Sequence, residues 1–532
     1  MAQLEASDQF ADGSPSPAAA KVFLPLLFPL LLLMVLLRYF TVDARRTKLP
    51  PSPPALPLIG HLHLVGALPH VSLRRLAARH GGEDLMMLRL GTVPTLVASS
   101  PRAAQAVLRT HDQVFASRPR SVVGDVLAYG PSDVGFAPYG ERWRQAKKLV
   151  TTHLFSAKKV QSYRTAREEE VGLVIAKIHD AAATQTVVDM SELLSTFTNN
   201  MVCRAVAGRS FRVQGRDRVF RELIDAGVAL LGGFNLENFY PGLAKVAGGL
   251  LMWPVRRKAE RLRARWDELL DKLIDEHMTG VAGAPASHKD GGGDDQQETD
   301  FIHVLLSVQE EYGLTRDSIK GILGDMFAAG TDTAYLVLEF TMAELMLNQD
   351  VMTKLQAEVR SNTPKGQKFV SEDDLTGMTY LKAVVKEILR LHPPTPLLLP
   401  HLSQKDCEVD NYIVPAGTTV FVNTWAIGRD PRIWDDADRF MPERFVQKVD
   451  VKGVGGKDFH YLPFGSGRRM CPGGNFGLAS IELLLANLVY QFDWELPEGV
   501  DAIDMTEVYG LTVSRKEKLL LAPKSRGSIV HT

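Results

Sequence analysis

Cysteine is scarce in this chain: three in 532 residues, at positions 203, 407 and 471. So few and so scattered, they exclude a disulfide framework and a paired-thiol zinc site. An excess of charge of one sign is missing too. Sixty-one Lys and Arg face 62 Asp and Glu, a formal net charge of −1, so nothing in the overall field favours nucleic acid. No Asn-x-Ser/Thr sequon occurs, no repeat recurs at a fixed period, and no flavin or nicotinamide fingerprint is present. The first and the scarcity of thiols fit a catalytic body in a reducing cytosol.

Apolar mass, by contrast, is plentiful. With 45% hydrophobic residues the chain can bury a large core, and length alone would suggest about three or four domains. Yet no linker interrupts it after residue 60, so residues 61–532 read as one catalytic body, mainly α with a small β region. Ahead of it, "VFLPLLFPLLLLMVLL" (22–37) holds sixteen uncharged apolar positions, extended past Arg38 by Tyr39, Phe40 and Val42. A transmembrane anchor over 22–42 suits the thin endoplasmic reticulum membrane, with Arg38 snorkelling. A secretory signal peptide competes, but the leader carries Glu5, Asp8 and Asp12 where a basic region belongs. Arg38, Arg45, Arg46 and Lys48 follow the apolar run, which leaves 1–21 as a luminal tail and the body cytosolic. Residues 43–60 are basic and proline-rich, with five prolines between 50 and 57, and read as a stiff hinge. The polar stretch 281–300 reads as a disordered surface loop.

Within the body, 314–347 runs without proline as a long helix containing "MFAAGTDTAYLVLEF". Residues 371–392 start acidic, continue with apolar positions at helical spacing and stop at Pro393 and Pro394. Strand-like pieces occupy 85–99 and 411–423.

The third cysteine sits in "YLPFGSGRRMCPG" (461–473), spaced F-x-x-G-x-R-x-C-x-G on Phe464, Gly467, Arg469, Cys471 and Gly473. A structural cysteine would lie in an apolar run. A thiolate that binds iron needs donors around the sulfur, hence exposed backbone amides and the start of the next helix near Pro472–Asn475. Arg469 can meet a carboxylate on a cofactor, and Phe464 can shield the sulfur from water. A Gly/Arg turn with a buried cysteine is the plain alternative.

Together with the anchor, the proline hinge and the two helices, this loop resembles the haem-thiolate monooxygenases of the cytochrome P450 family, in their plant microsomal branch. The likeness covers essentially the whole chain. It implies haem b, with Cys471 as the iron ligand. Glu387 and Arg390 match the family's E-x-x-R, and Arg444 in "MPERF" completes a buried triad that braces the cysteine loop. Gly330, Asp332 and Thr333 match the oxygen-binding helix: Gly330 lets the helix loosen, Thr333 donates toward oxygen and Asp332 relays protons. Two positions depart from the family. Its W-x-x-x-R is Trp143 with Lys147, a point charge where a guanidinium fork is usual. Its Pro-Arg is Pro400-His401, which leaves His401 as a weaker candidate for a haem propionate.

The same resemblance implies O2 as co-substrate, electrons from NADPH through cytochrome P450 reductase, and cytochrome b5 as a second donor. Lys147, Lys148, Lys158, Lys159 and Arg468 form a candidate docking face. "YGPSDVGFAPYGERWRQ" (129–145), "LEFTMAEL" and "LLLPHLS" are similar to the grass enzymes that oxygenate indole and its derivatives in benzoxazinoid biosynthesis. Pocket positions implied are Val122 and Val123, Phe234 to Leu236, Ala328 and Ala329, Thr395 to Leu399 including Leu397, and Leu511 to Val513. Their character suits a small apolar substrate, indole-like or terpenoid. A haem-thiolate isomerase or dehydratase would not need the Asp332–Thr333 pair, and a haem carrier would not need a shaped apolar pocket.

Overall fold

The computed structural model of the chain describes residues 48–526, apart from 131, 213–214, 234, 245–251, 281–299 and 448–457. The anchor expected over 22–42 and most of the loop expected over 281–300 lie outside the described residues. Among the described residues no helix is long and apolar enough to cross a membrane.

Among the helices of the described residues, these position the site and its core: α1 (Glu141–His153), α2 (Arg164–Ala183), α3 (Met190–Ala207), α4 (Arg216–Gly232), α5 (Trp253–Met278), α6 (Phe301–Ser307), α7 (Arg316–Leu347), α8 (Gln349–Asn362), α9 (Thr379–Leu391) and α10 (Gly474–Gln491). The longest, α7, starts where Thr315 accepts a hydrogen bond from the Ser318 amide at 3.1 Å, a side-chain cap for an otherwise orphaned donor. It runs 32 residues with buried positions all round, as a helix through the middle of a large domain should. Phe197, Met201 and Val202 of α3, Phe327, Leu338 and Phe340 of α7, Val384 and Ile388 of α9, and Leu484 and Leu488 of α10 share one core. Each of the larger of these side chains contributes on the order of 2 kcal/mol by leaving water.

A four-stranded sheet flanks this core. Strands β1 (Leu85–Leu90) and β2 (Val93–Ala98) form an antiparallel hairpin. Strand β3 (His401–Leu402) pairs antiparallel with β6 (Thr419–Val422), and β6 runs parallel to β2. Between them β4 (Cys407–Val409) and β5 (Tyr412–Val414) make a separate hairpin, and β7 (Glu507–Tyr509) and β8 (Val513–Arg515) another.

The proline hinge is shorter than its composition suggests. The Pro51 carbonyl accepts from the Met87 amide at 2.9 Å, and His61 bridges Pro53 O and the Arg89 amide at 2.9 and 2.8 Å. Prolines lack N–H groups but keep their carbonyls, so residues from Pro51 onward dock on β1 and belong to the body. Asp300 likewise is an ordered cap, accepting from the His303 amide at 3.0 Å at the start of α6.

Candidate active site

A cavity of about 370 Å³ opens where α1, α7, α10, the chain just before β3, the β7–β8 turn and residues 463–473 converge. Of the three cysteines only Cys471 is among its walls. Cys203 is buried in α3, and Cys407 lies in the β4–β5 hairpin. Protein surrounds the Cys471 thiol, whose free surface is the side open to the cavity. Burial pushes its pKa up, while the amides of Gly473 and Gly474 and the charge of Lys147 pull it down. The site thus partly compensates a thiolate and leaves the rest to a cation at sulfur.

The loop's shape depends on Gly467. Its φ is +67°, and a Cβ there would lie 1.8 Å from the Leu108 carbonyl oxygen, so both conformation and space exclude any other residue. Beyond it the Cys471 amide donates to the Phe464 carbonyl at 3.0 Å. Phe464 and Gly473 line the cavity beside the sulfur; Gly467 acts behind it.

Cations gather at the same end. Lys147 donates to the Met470 carbonyl, and burial lowers its pKa to about 8. Arg469 donates to Ala116 O at 2.7 Å and to Val134 O at 3.2 Å, stacks over Trp143 at 4.2 Å, and is lowered by burial to about 10. Trp143 donates to the same Val134 carbonyl at 3.0 Å. Arg118, which no sequence spacing singled out, donates to Gly135, Leu399 and Pro400 carbonyls at 3.0, 2.8 and 2.9 Å. Burial and the Arg469 charge lower it well below the usual arginine range. His401, placed by its pairing with Val420, lies 2.9 Å from Phe115 O through Nδ1, and burial then Arg118 hold its ring neutral. Arg469 depresses both Arg118 and Lys147, and Asp133 and Asp325 offset the buried charge only in part; two further carboxylates set among Arg118, Lys147 and Arg469 would relieve them. With the thiol alongside, this donor set fits a haem and its propionates.

A second acidic feature also escaped sequence reasoning. Asp325 accepts from the amides of Val134 and Gly135 at 2.7 and 2.8 Å, and burial raises it to about 6. Asp133 is pushed well above the carboxylate range by burial and by Asp325. Neither stands in a recognisable spacing; only the fold brings 133 beside 325.

On α7, Asp332 accepts from Thr512 Oγ1 at 2.7 Å, and burial lifts its pKa to about 6 despite that bond. Thr333 Oγ1 donates to Ala329 O at 2.7 Å. Both side chains belong to the cavity wall. Gly330 has a packing reason besides the one the sequence suggested: a Cβ would stand 2.8 Å from Val202 Cγ2, so it lets α7 pass close to α3, and α7 is helical throughout.

Glu387, Arg390 and Arg444 lie together, away from the cavity. Arg390 donates to both Glu387 oxygens at 2.8 and 2.7 Å and to the carbonyls of Gly428, Ala437 and Arg439, while Arg444 Nε donates to Glu387 at 3.0 Å. All three are buried. From Arg390 a row of rings, Trp434, Phe445 and Tyr461, leads at centroid spacings of 5.7 and 5.2 Å into the cysteine loop.

The pocket positions are partly displaced from expectation. Of the expected positions, Ala328, Ala329, Thr395, Leu398, Leu399 and Leu511 line the cavity, joined by Val337. Val122 does not, because its helix presents Leu127 and Ala128 instead. Leu397 does not either: it packs against Leu88 and Val97 of the sheet, and Leu398, at φ +52°, turns the chain inward. Phe234 lies outside the described residues. Lys147 faces inward and leaves the expected docking face, whereas Lys148 and Lys158 are exposed.

The family model of cytochrome P450 matches residues 50–522. The chain is 53% identical over 530 residues to an indole-2-monooxygenase of Zea mays, covering 96% of each. It is 54% identical over 490 residues to an indolin-2-one monooxygenase of the same plant, covering 90% of each. Among solved structures it resembles a zebrafish cytochrome P450 with a TM-score of 0.71 at 24% identity, over 87% of this chain and 100% of that one; this likeness is one of fold.

Proposed function

The chain belongs to the cytochrome P450 family of monooxygenases, and on that premise we propose that it inserts one atom of O2 into a small aromatic substrate of the indole or indolinone type. The observation that carries this reading is one cavity walled by a thiol, an acid–alcohol pair and aliphatic side chains. Haem b, which Cys471 would hold through its thiolate, would supply the oxygen activation when bound. Arg118, Lys147 and Arg469 would hold its carboxylates, the amides of Gly473 and Gly474 would donate to the sulfur, and His401, neutral and with its one ring proton committed to the Phe115 carbonyl, has none left for a carboxylate. Ala328, Ala329, Val337, Leu398 and Leu511 exclude water and leave a flat aromatic only shape to be recognised by. Asp332, poised at a pKa of about 6, takes a proton from solvent and passes it on at Oδ2, with Thr333 Oγ1 positioning the donor after leaving the Ala329 carbonyl. An isomerase or dehydratase would use neither group.

The test is reconstitution with NADPH and cytochrome P450 reductase, offering indole and indolin-2-one. Oxygen and NADPH should disappear in step with hydroxylated product. Asp332→Asn and Thr333→Ala should keep the haem spectrum, lower product formation by about 10²-fold and divert electrons to peroxide. Unchanged product per NADPH in both would remove the pair from the mechanism, and turnover of neither compound would redirect the substrate class to terpenoids or other metabolites.

The same reading assigns residues 22–42 as a single anchor in the endoplasmic reticulum membrane, 1–21 as a luminal tail and the body as cytosolic. It also assigns Lys148, Lys158 and Arg468 to docking of the reductase and of cytochrome b5. Leu56, Leu58 and Ile59, exposed just after the hinge, offer a second apolar contact with lipid. Deleting 1–44 should therefore weaken membrane association without abolishing it, and replacing those three residues by serine in the deleted form should release the protein. A full-length protein recovered in the soluble fraction would overturn the topology.

A further inference from the structure

Outside the catalytic cavity, whose walls include none of them, His277, Asp300 and His303 join the end of α5 to the start of α6. His277 Nδ1 lies 2.6 Å from the Leu273 carbonyl. A carbonyl oxygen cannot donate, so the single proton of a neutral His277 ring sits on Nδ1 and Nε2 carries a lone pair. That lone pair faces another acceptor, Asp300 Oδ2, at 3.2 Å. His303 Nδ1 lies 2.9 Å from the same oxygen. All three ligand atoms fall within 4.8 Å of one another. Two acceptors at contact distance need a positive charge between them, either a second proton on His277 or a metal ion.

We propose that His277 Nε2, Asp300 Oδ2 and His303 Nδ1 bind a borderline divalent cation, Zn²⁺ foremost, that ties α5 to α6. Tetrahedral zinc with bonds of about 2.0–2.2 Å spaces its ligand atoms about 3.3–3.5 Å apart, close to two of the edges already present. The remaining edge closes by rotation of His303, the most exposed of the three, whose side chain is 34% accessible; water fills the fourth position from that side. Imidazole nitrogen with carboxylate is a donor set that suits zinc. Outer contacts favour the same outcome. Leu273 O holds the tautomer of His277, the usual outer partner of a zinc-bound imidazole, and Asp300 Oδ1 is held by the His303 amide at 3.0 Å. Gly208 sits against the carboxylate: a Cβ there would approach Asp300 Oδ2 to 3.1 Å. The adjacent Arg209 does not repel a cation at full strength, because Glu276 pairs with it and with Arg216.

The experiment uses untagged full-length holoenzyme, stripped with a chelator, dialysed against Zn²⁺ and measured by elemental analysis beside its haem iron. Wild type should retain one zinc per chain more than His303→Ala, a variant that keeps the backbone amide capping α6 and so should fold and keep the haem spectrum. Loss of this ligand should weaken zinc binding by at least about 10-fold, the lower bound for loss of an outer partner. His277→Gln should do the same. Zinc should raise the melting temperature of wild type, and of neither variant, in a concentration-dependent way. Equal zinc in wild type and variants, or none in wild type, overturns the proposal and leaves Asp300 bridging a doubly protonated His277.

Discussion

Replacing Cys471 with serine should abolish the red-shifted Soret band that reduced haem-thiolate proteins give with carbon monoxide, and turnover should fall below detection. Serine is close to isosteric, and the hydrogen bond that the residue 471 amide donates to Phe464 O involves no side chain, so the loop keeps its shape. What disappears is the polarisable anion. A hydroxyl in this setting stays protonated, because two backbone amides and one lysine already fail to bring the far more acidic thiol below its ordinary pKa. Without thiolate donation the push toward O–O cleavage is lost. Cys203→Ala and Cys407→Ala should leave the band in place, since neither side chain reaches the cavity. A Cys471→Ser protein that kept the band would end the assignment of this residue as ligand.

Arg390→Leu should give essentially no haem-loaded protein. On an exposed helix an i,i+3 pair would contribute about 0.2–0.5 kcal/mol, and its loss would pass unnoticed. Here both partners are buried, and leaving Glu387 uncompensated costs about 3–5 kcal/mol. The carbonyls of Gly428, Ala437 and Arg439 also lose their donor, each at about 1–3 kcal/mol if left unsatisfied. That sum is comparable to the whole stability of a typical domain, about 5–15 kcal/mol. The damage should reach the haem first, because Arg390 supports Trp434 and through it Phe445 and Tyr461 at the base of the loop. Arg390→Lys, which keeps charge but not the fork, should lie between the two. The measurement is haem absorbance per protein after expression at low temperature. A haem-replete Arg390→Leu protein would reduce the triad to a surface contact.

Contiguous chemistry was legible from the residues alone. The cysteine loop, the acid–alcohol pair on one turn of α7, Glu387 with Arg390 on one face of α9, and the span of α7 itself all follow from spacings within a single element. Helix periodicity and short-range backbone sterics determine these, and both are local. The single body after the hinge, mainly helical, was legible for the same reason: an uninterrupted apolar pattern permits one core.

Tertiary structure alone decided what depends on segments far apart in sequence. Arg118 reaches the end of the cavity where Lys147 and Arg469 gather because Leu399 and Pro400, some 280 residues later, supply the carbonyls that hold it. Asp133 is pushed above the ordinary carboxylate range by burial and by Asp325, which only the fold brings beside it. Leu397 left the expected pocket wall for the sheet while Leu398, a left-handed residue, kept its place there, and Lys147 left the surface for a carbonyl of the cysteine loop. Gly330 proved to be a packing glycine as well, since Val202 stands where its Cβ would be. In each case the deciding quantity is desolvation or contact between distant segments, and neither is encoded in the spacing of neighbouring residues.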